Sequence, residues 1–281
     1  MTPRFKPAFM LLILVGTCLW GVLPAAGYVP PGELILDRMT STLGRTGKFS
    51  VVHTTAVADT ACPPLHEATA TETAWYDPPD RFRFESVFKK VKRIYVATPE
   101  AALTIVDGHV VSTAQSPLMR YREPLLCRDR KLLAARLVGM GIDTTVSSLG
   151  RLDGTVAYVV GARFPDASAS QLWVAKETFL PFRLIINDSR ERTQVEARYS
   201  QWHKEGAFWF PMHIEIYRNH RLIQTICSHT VTKKSVFESG LFDITALQRR
   251  YPPADAAEGR PPDSSTDEIQ QAIDNFNKLY E

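Results

Sequence analysis

Cysteine is scarce in this chain, four among 281 residues, and the patterns that would give it chemistry are missing. No CxxC occurs and no Cys/His spacing suits zinc, so no metal site is expected. The histidines, His53, His66, His109, His203, His213, His220 and His229, form no HExxH. There is no GxSxG, no P-loop and no glycine-rich dinucleotide fingerprint, and therefore no cofactor to expect. Two same-face strand pairs remain, His213 with Glu215 and Cys227 with His229. The second is the one nucleophile arrangement open to an enzymatic alternative. Same-face neighbours arise by chance, however, and catalytic Cys/His pairs usually come from separate elements, so no catalytic residue is expected. Also missing is a dense basic stripe, which excludes nucleic acid as a partner. Phe88-Lys89-Lys90-Val91-Lys92-Arg93 is the only strong basic cluster, suited to a solvated hairpin end or to anionic head groups at a membrane surface. No internal repeat suggests a solenoid.

Long apolar runs are confined to the start of the chain. Arg4 and Lys6 precede the apolar run 8–15, and Leu23-Pro24-Ala25-Ala26-Gly27 follows, which reads as a secretory leader cut near Gly27. An uncleaved anchor is the alternative, since apolar residues continue through Val22, and Val15-Gly16-Thr17-Cys18 loosely resembles a lipidation box. The expected organisation is a leader over 1–27, a folded domain over 28–250, and a Pro-rich acidic linker with a short helix over 251–281. Without the leader the formal charge falls from +3 to +1, of which 252–281 carry −5 and the body +6. The mature chain is expected to be a soluble or peripherally held monomer. Export leaves Cys62, Cys127 and Cys227 where disulfides persist. Cys62 and Cys127 stand beside Pro or charged residues and are expected to pair, with Cys227 packed as a small hydrophobe in a strand; three unpaired thiols are the alternative.

What is abundant is β-strand pattern. Ile35, Met39 and Leu43 recur at fourfold spacing in a first helix over 32–43 that Gly44 ends. Strand-like runs follow from 49–57 to 221–231, about a dozen in all, separated by turn signals such as Asp107-Gly108 and Asp153-Gly154. One amphipathic helix, 127–140, interrupts them with Leu132, Leu133, Leu137 and Val138 among basic residues. The run 171–188 is apolar on both faces: Phe182, Leu184 and Ile186 fill one side and Ile185 the other, which needs cover on each. A mainly β (α+β) fold is expected: a long antiparallel sheet that can curl, with the two helices covering its concave face.

The aromatic residues Trp75, Phe82, Phe84, Trp173, Phe182, Tyr199 and Trp202 suit either a filled core or a pocket for acyl chains, whose burial is favourable by about 0.8 kcal/mol per methylene. The stretch YVVGARFPDASASQLWVAKETFLPFRLI, residues 158–185, resembles the LolA/LolB-like outer-membrane lipoprotein-sorting family. Tyr158-Val159-Val160, Leu172-Trp173-Val174, Thr178, Leu180-Pro181 and Arg183 carry the likeness, with Tyr199 and Trp202 on the next strand; Lys176 stands where that family usually has Asp. The resemblance implies an unclosed antiparallel β-barrel with an N-terminal helix and a lid helix over its concave face, a periplasmic carrier that shields lipoprotein acyl chains, or another lipid, in a hydrophobic cavity, with a membrane-protein donor or receptor. The alternative it admits is an envelope-stress or lipid sensor acting through a membrane-protein partner. Ile35, Met39, Phe82, Phe84, Leu133, Leu137, Trp173, Phe182, Leu184, Ile186 and Tyr199 are the residues expected to line that cavity. Phe82 and Phe84 are placed inward because Arg83 and Glu85 alternate with them.

Overall fold

The computed structural model describes residues 28–56, 70–88, 91–234 and 236–253. The expected leader, Cys62 and nearly all of the acidic tail lie outside the described residues. Helix α1 (Gly32–Leu43) leads into β1 (Phe49–Ala56), β2 (Ala70–Asp77), β3 (Arg81–Phe88), β4 (Val91–Ala97), β5 (Ala102–Val106) and β6 (His109–Ser112). A 3-10 turn (Pro117–Arg122), a one-turn α2 (Glu123–Leu126) and α3 (Arg130–Gly139) come next. Then follow β7 (Ser147–Leu152), β8 (Thr155–Val160), β9 (Gln171–Ala175), β10 (Pro181–Asp188), β11 (Thr193–Glu205), β12 (Phe208–Arg218), β13 (Arg221–Lys233) and α4 (Ile244–Arg250).

All 13 strands form one antiparallel sheet in the order β6-β5-β4-β3-β2-β1-β13-β12-β11-β10-β9-β8-β7, an open barrel rather than a closed one. Two meanders are thus sewn together where β1 pairs with β13. Their hairpins turn where the sequence permits left-handed backbone: Asp107-Gly108 and Asp153-Gly154 have φ of 45° and 82°, and 48° and 82°, as a type I′ turn requires. The edges are β6 and β7, and the chain between them has to cross the sheet. It crosses on the concave side, and that crossing supplies the helical cover.

Each helix is placed by its apolar stripe. In α1, Ile35, Leu36, Met39 and Leu43 are fully buried, and Gly44 ends it at φ 78°, where a Cβ would lie 2.0 Å from the Ala207 carbonyl oxygen. Asp129 caps α3 by accepting from the Leu132 N–H at 2.8 Å, and Leu133 and Leu137 are buried beneath it. These residues join Tyr158, Val160, Leu172, Val174, Leu184, Ala197, Tyr199 and Ile214 in one core cluster. A second cluster under β1–β5 is aromatic: Phe49 stacks on Tyr76 at 4.7 Å and Phe84 on Tyr95 at 5.4 Å, with Phe208 and Phe210 beside them.

The outer face has its own cover at two places. Ile94, Val96, Leu103 and Ile105 lie under Ile244 and Leu247 of α4, a helix that the sequence reading did not foresee. Past it, the Val110 N–H donates to the Pro252 carbonyl at 2.9 Å, so the start of the Pro-rich segment lies along β6 instead of leaving the domain. Ala157, Val159 and Trp173 form the other patch with Phe182. Trp173 and Phe182 therefore depart from the inward placement expected of them. Leu172, Trp173 and Val174 are apolar in succession and give no alternation to read. Phe182 stands in a bulge, since β10 shifts register against β9 between Pro181 and Arg183, which turns it to meet Trp173 edge-on at 5.9 Å.

The expected Cys62–Cys127 bridge is contradicted. Cys127 is a free, buried thiol that sits in the core cluster at the end of α2 and donates to the Asp129 carbonyl at 3.6 Å. Cys227 is the disulfide-bonded cysteine, and its partner lies outside the described residues. Residue 227 pairs with Thr54 on β1 and His213 on β12, on the outer side of the seam between the meanders, where a cross-link can reach it.

Candidate ligand-binding site

The crossing segment lays four anchors on the concave face. Leu118, Tyr121 and Leu125 enter the first core cluster and Leu126 the second. The Tyr199 hydroxyl donates to the Tyr121 carbonyl at 2.7 Å, fixing the 3-10 turn to β11. Where the segment meets the β2–β3 turn, a pocket of about 340 Å³ remains, walled by Phe82, Tyr95, Met119 and Leu126 with Arg122 and Arg136 among its polar residues. That volume is at the lower end of small-molecule sites.

Arg136 of α3 spans the mouth. Its guanidinium binds Asp80 and the Pro79 carbonyl on the sheet side and Glu123 on the cover side. Burial pushes the Glu123 carboxyl up to about 7, against the pull of Arg120. Deeper in, Arg122 is 5% exposed. It stacks over Phe82 at 4.6 Å, Tyr121 at 4.6 Å and Phe84 at 5.4 Å. Its Nη1 contacts the Met119 sulfur and the side chain bonds to Tyr76. Burial opposes its charge, but Tyr121, Tyr76 and Glu72 outweigh it and hold its pKa above the ordinary arginine value. The same charge acts on His53, which burial first and then Arg122 and His229 push down to about 3. His53 Nδ1 lies 3.0 Å from Ser228 Oγ.

The expected lining residues separate into three groups. Phe82 lines the pocket, and Phe84 lies behind it under the Arg122 guanidinium. Ile35, Met39, Leu133, Leu137, Leu184 and Tyr199 are packed in the core cluster, with Ile186 at its edge. Trp173 and Phe182 are on the outer face. The inward setting of Phe82 and Phe84 follows from Arg83 and Glu85, which pair outside the barrel at 2.5 Å. Arg122 was missed. In sequence it is one of a string of basic residues, and nothing local marks it as the one turned inward.

The arrangement offers little for covalent chemistry. Cys227 is held in a disulfide and His229 Nε2 is engaged by Thr54 Oγ1 at 2.7 Å, which disposes of the Cys227/His229 nucleophile. Burial pushes the Cys127 thiol up to about 12. His213 and Glu215 do face each other, at 3.5 Å, on the outer face beside the Arg183–Glu196 and Arg198–Glu196 ion pairs. Among the described residues no three His, Cys, Asp or Glu side chains are close enough to hold a metal, and no helix is long and apolar enough to cross a membrane. The basic cluster is not a free patch either: Lys92 pairs with Glu85 at 2.9 Å and Arg93 lies over the Phe84 ring at 4.9 Å, while Lys89 and Lys90 lie outside the described residues.

No family model matches the chain, and no curated protein matches it. Among solved structures it is similar to a putative outer membrane lipoprotein-sorting protein domain from Vibrio parahaemolyticus, with 8% identity over 77% of this chain and 97% of that one and a TM-score of 0.49. A LolA superfamily protein from Nitrosomonas europaea is similar at 12% identity over 75% and 97%, TM-score 0.49. A DUF1329 family protein from Desulfovibrio piger is similar at 14% identity over 79% and 100%, TM-score 0.47.

Proposed function

We propose that this protein is an exported, non-enzymatic lipid carrier that shields acyl chains, of lipoproteins or of another lipid, during periplasmic transit toward the outer membrane. On this reading residues 1–27 are removed as a leader, 28–250 hold the lipid, and 251–281 are an appended acidic segment. A membrane-protein donor or receptor supplies and accepts the cargo. The observation that carries it is the helical crossing over the concave face, with an aromatic-walled pocket of about 340 Å³ left at its rim. In the closed form the apolar side chains of α1 and α3 fill the interior. Loading therefore requires the cover to move and acyl chains to replace those contacts, an exchange of like for like at about 25 cal/mol per Å² on either side.

The test is mass spectrometry of an organic extract of the protein purified from its native envelope, paired with uptake of a fluorescent fatty acid by the delipidated protein. The expected results are a co-purifying lipid and saturable uptake with about 1:1 stoichiometry. A protein that carries no lipid and takes none up is a filled-core module, and the carrier reading fails.

A further inference from the structure

Arg122 sits in the wall of the pocket with its Nε lacking any hydrogen-bond partner. Among the described residues no carboxylate approaches it within ion-pair distance. Its neighbours are three aromatic rings, a thioether and the Tyr76 side chain, and the charge of Glu72 also acts on it. A guanidinium this deeply buried is costly unless something compensates its charge. At the mouth Arg136 is already paired with Asp80 and Glu123. Arg120, also in the wall, is exposed and adds a second positive charge. The pocket thus has the Arg122 guanidinium group at its polar end and Phe82, Tyr95, Met119 and Leu126 along its sides.

We propose that the pocket is a headgroup site for an anionic amphiphile, in which a carboxylate or phosphate oxygen accepts from the Arg122 guanidinium while the first part of a single acyl chain lies along the Phe82–Tyr95 wall. The inference rests on the carrier reading and narrows it to lipids bearing a negative charge close to the chain. Arginine suits the role because its fork of donors matches planar and tetrahedral oxyanions. The rings that stack on it hold the fork in place before the ligand arrives.

The test compares cis-parinaric acid with its methyl ester, which share a chain and differ in charge, by fluorescence titration of the delipidated protein at pH 8, with inorganic phosphate as competitor. The acid is expected to bind at least tenfold more tightly than the ester. Arg122→Met is expected to bring the acid down to the level of the ester, and Arg122→Lys to fall between the two. Inorganic phosphate alone is expected to displace neither. Equal binding of acid and ester by the unaltered protein would overturn the headgroup site and leave the carrier reading standing. Binding of neither overturns both. Displacement of the acid by phosphate, with no ester binding, means a site for free anions and overturns the amphiphile. Because the acid-to-ester ratio of the unaltered protein decides the matter, the proposal stays testable even if the Arg122 variants do not fold.

Discussion

At the scale of single residues, the concave face stores charge chemistry inside an apolar shell. His53 is buried between Ser228 and the Phe210 ring, and its pKa is pushed down to about 3, by burial first and then by Arg122 and His229. An unfolded histidine titrates near 6.5, so between that value and about 3 the unfolded chain holds a proton that the folded chain does not. Stability is therefore full above pH ~6.5 and falls as pH drops through that window, by up to about 1.4 kcal/mol per pH unit for this one group. His53→Gln is expected to flatten the pH dependence of the urea midpoint between pH 6.5 and 4 by up to that slope. An unchanged slope would mean that His53 is protonated in the folded protein. The sequence makes a histidine visible in an apolar strand, but the burial that neutralises it comes from β2, β12, β13 and the 3-10 turn, all distant in the chain.

At the scale of elements, the cover is held by two different kinds of contact. Leu133 and Leu137 fasten α3 to the core, and their fourfold spacing is legible in the sequence because helical geometry alone puts them on one face. Arg136 ties the same helix to Asp80, Pro79 and Glu123 at the pocket mouth. Nothing in the sequence links Arg136 to the Asp77-Pro78-Pro79-Asp80 turn more than fifty positions earlier; only the folded sheet brings that turn beneath the helix. For a partly exposed pair network a loss of about 1 kcal/mol is expected. Arg136→Ala should therefore speed hydrogen exchange of the α3 amides about fivefold while the β8 and β9 amides exchange as before. Acceleration across the sheet as well would show that α3 is part of the global fold rather than a separately opening cover.

For the whole molecule, the decisive feature is that one sheet runs through both meanders. β1 pairs on one side with β2 and on the other with β13. Met119 of the crossing segment touches both the cluster under α1 and α3 and the aromatic cluster beneath β1–β5. Neither half has a complete core of its own, so unfolding should be a single cooperative event. Calorimetry is expected to give one transition with equal calorimetric and van't Hoff enthalpies; two resolved transitions would mean that the β1–β13 seam separates independent units.

Most of the strand and helix pattern was determined by the sequence alone, with α4 an exception. Alternation over 49–57 and 81–88, Asp-Gly at two hairpins and fourfold apolar spacing over 32–43 are each written within a few residues, and the open antiparallel sheet under a helical cover follows from them. Tertiary structure alone decided which side chains border the pocket. A bulge at Phe182, three consecutive apolar residues around Trp173, a disulfide at Cys227 instead of Cys127 and an inward arginine at 122 all depend on partners far away in the chain. Local periodicity can say that a residue has a face, but the identity of what lies opposite is set by packing.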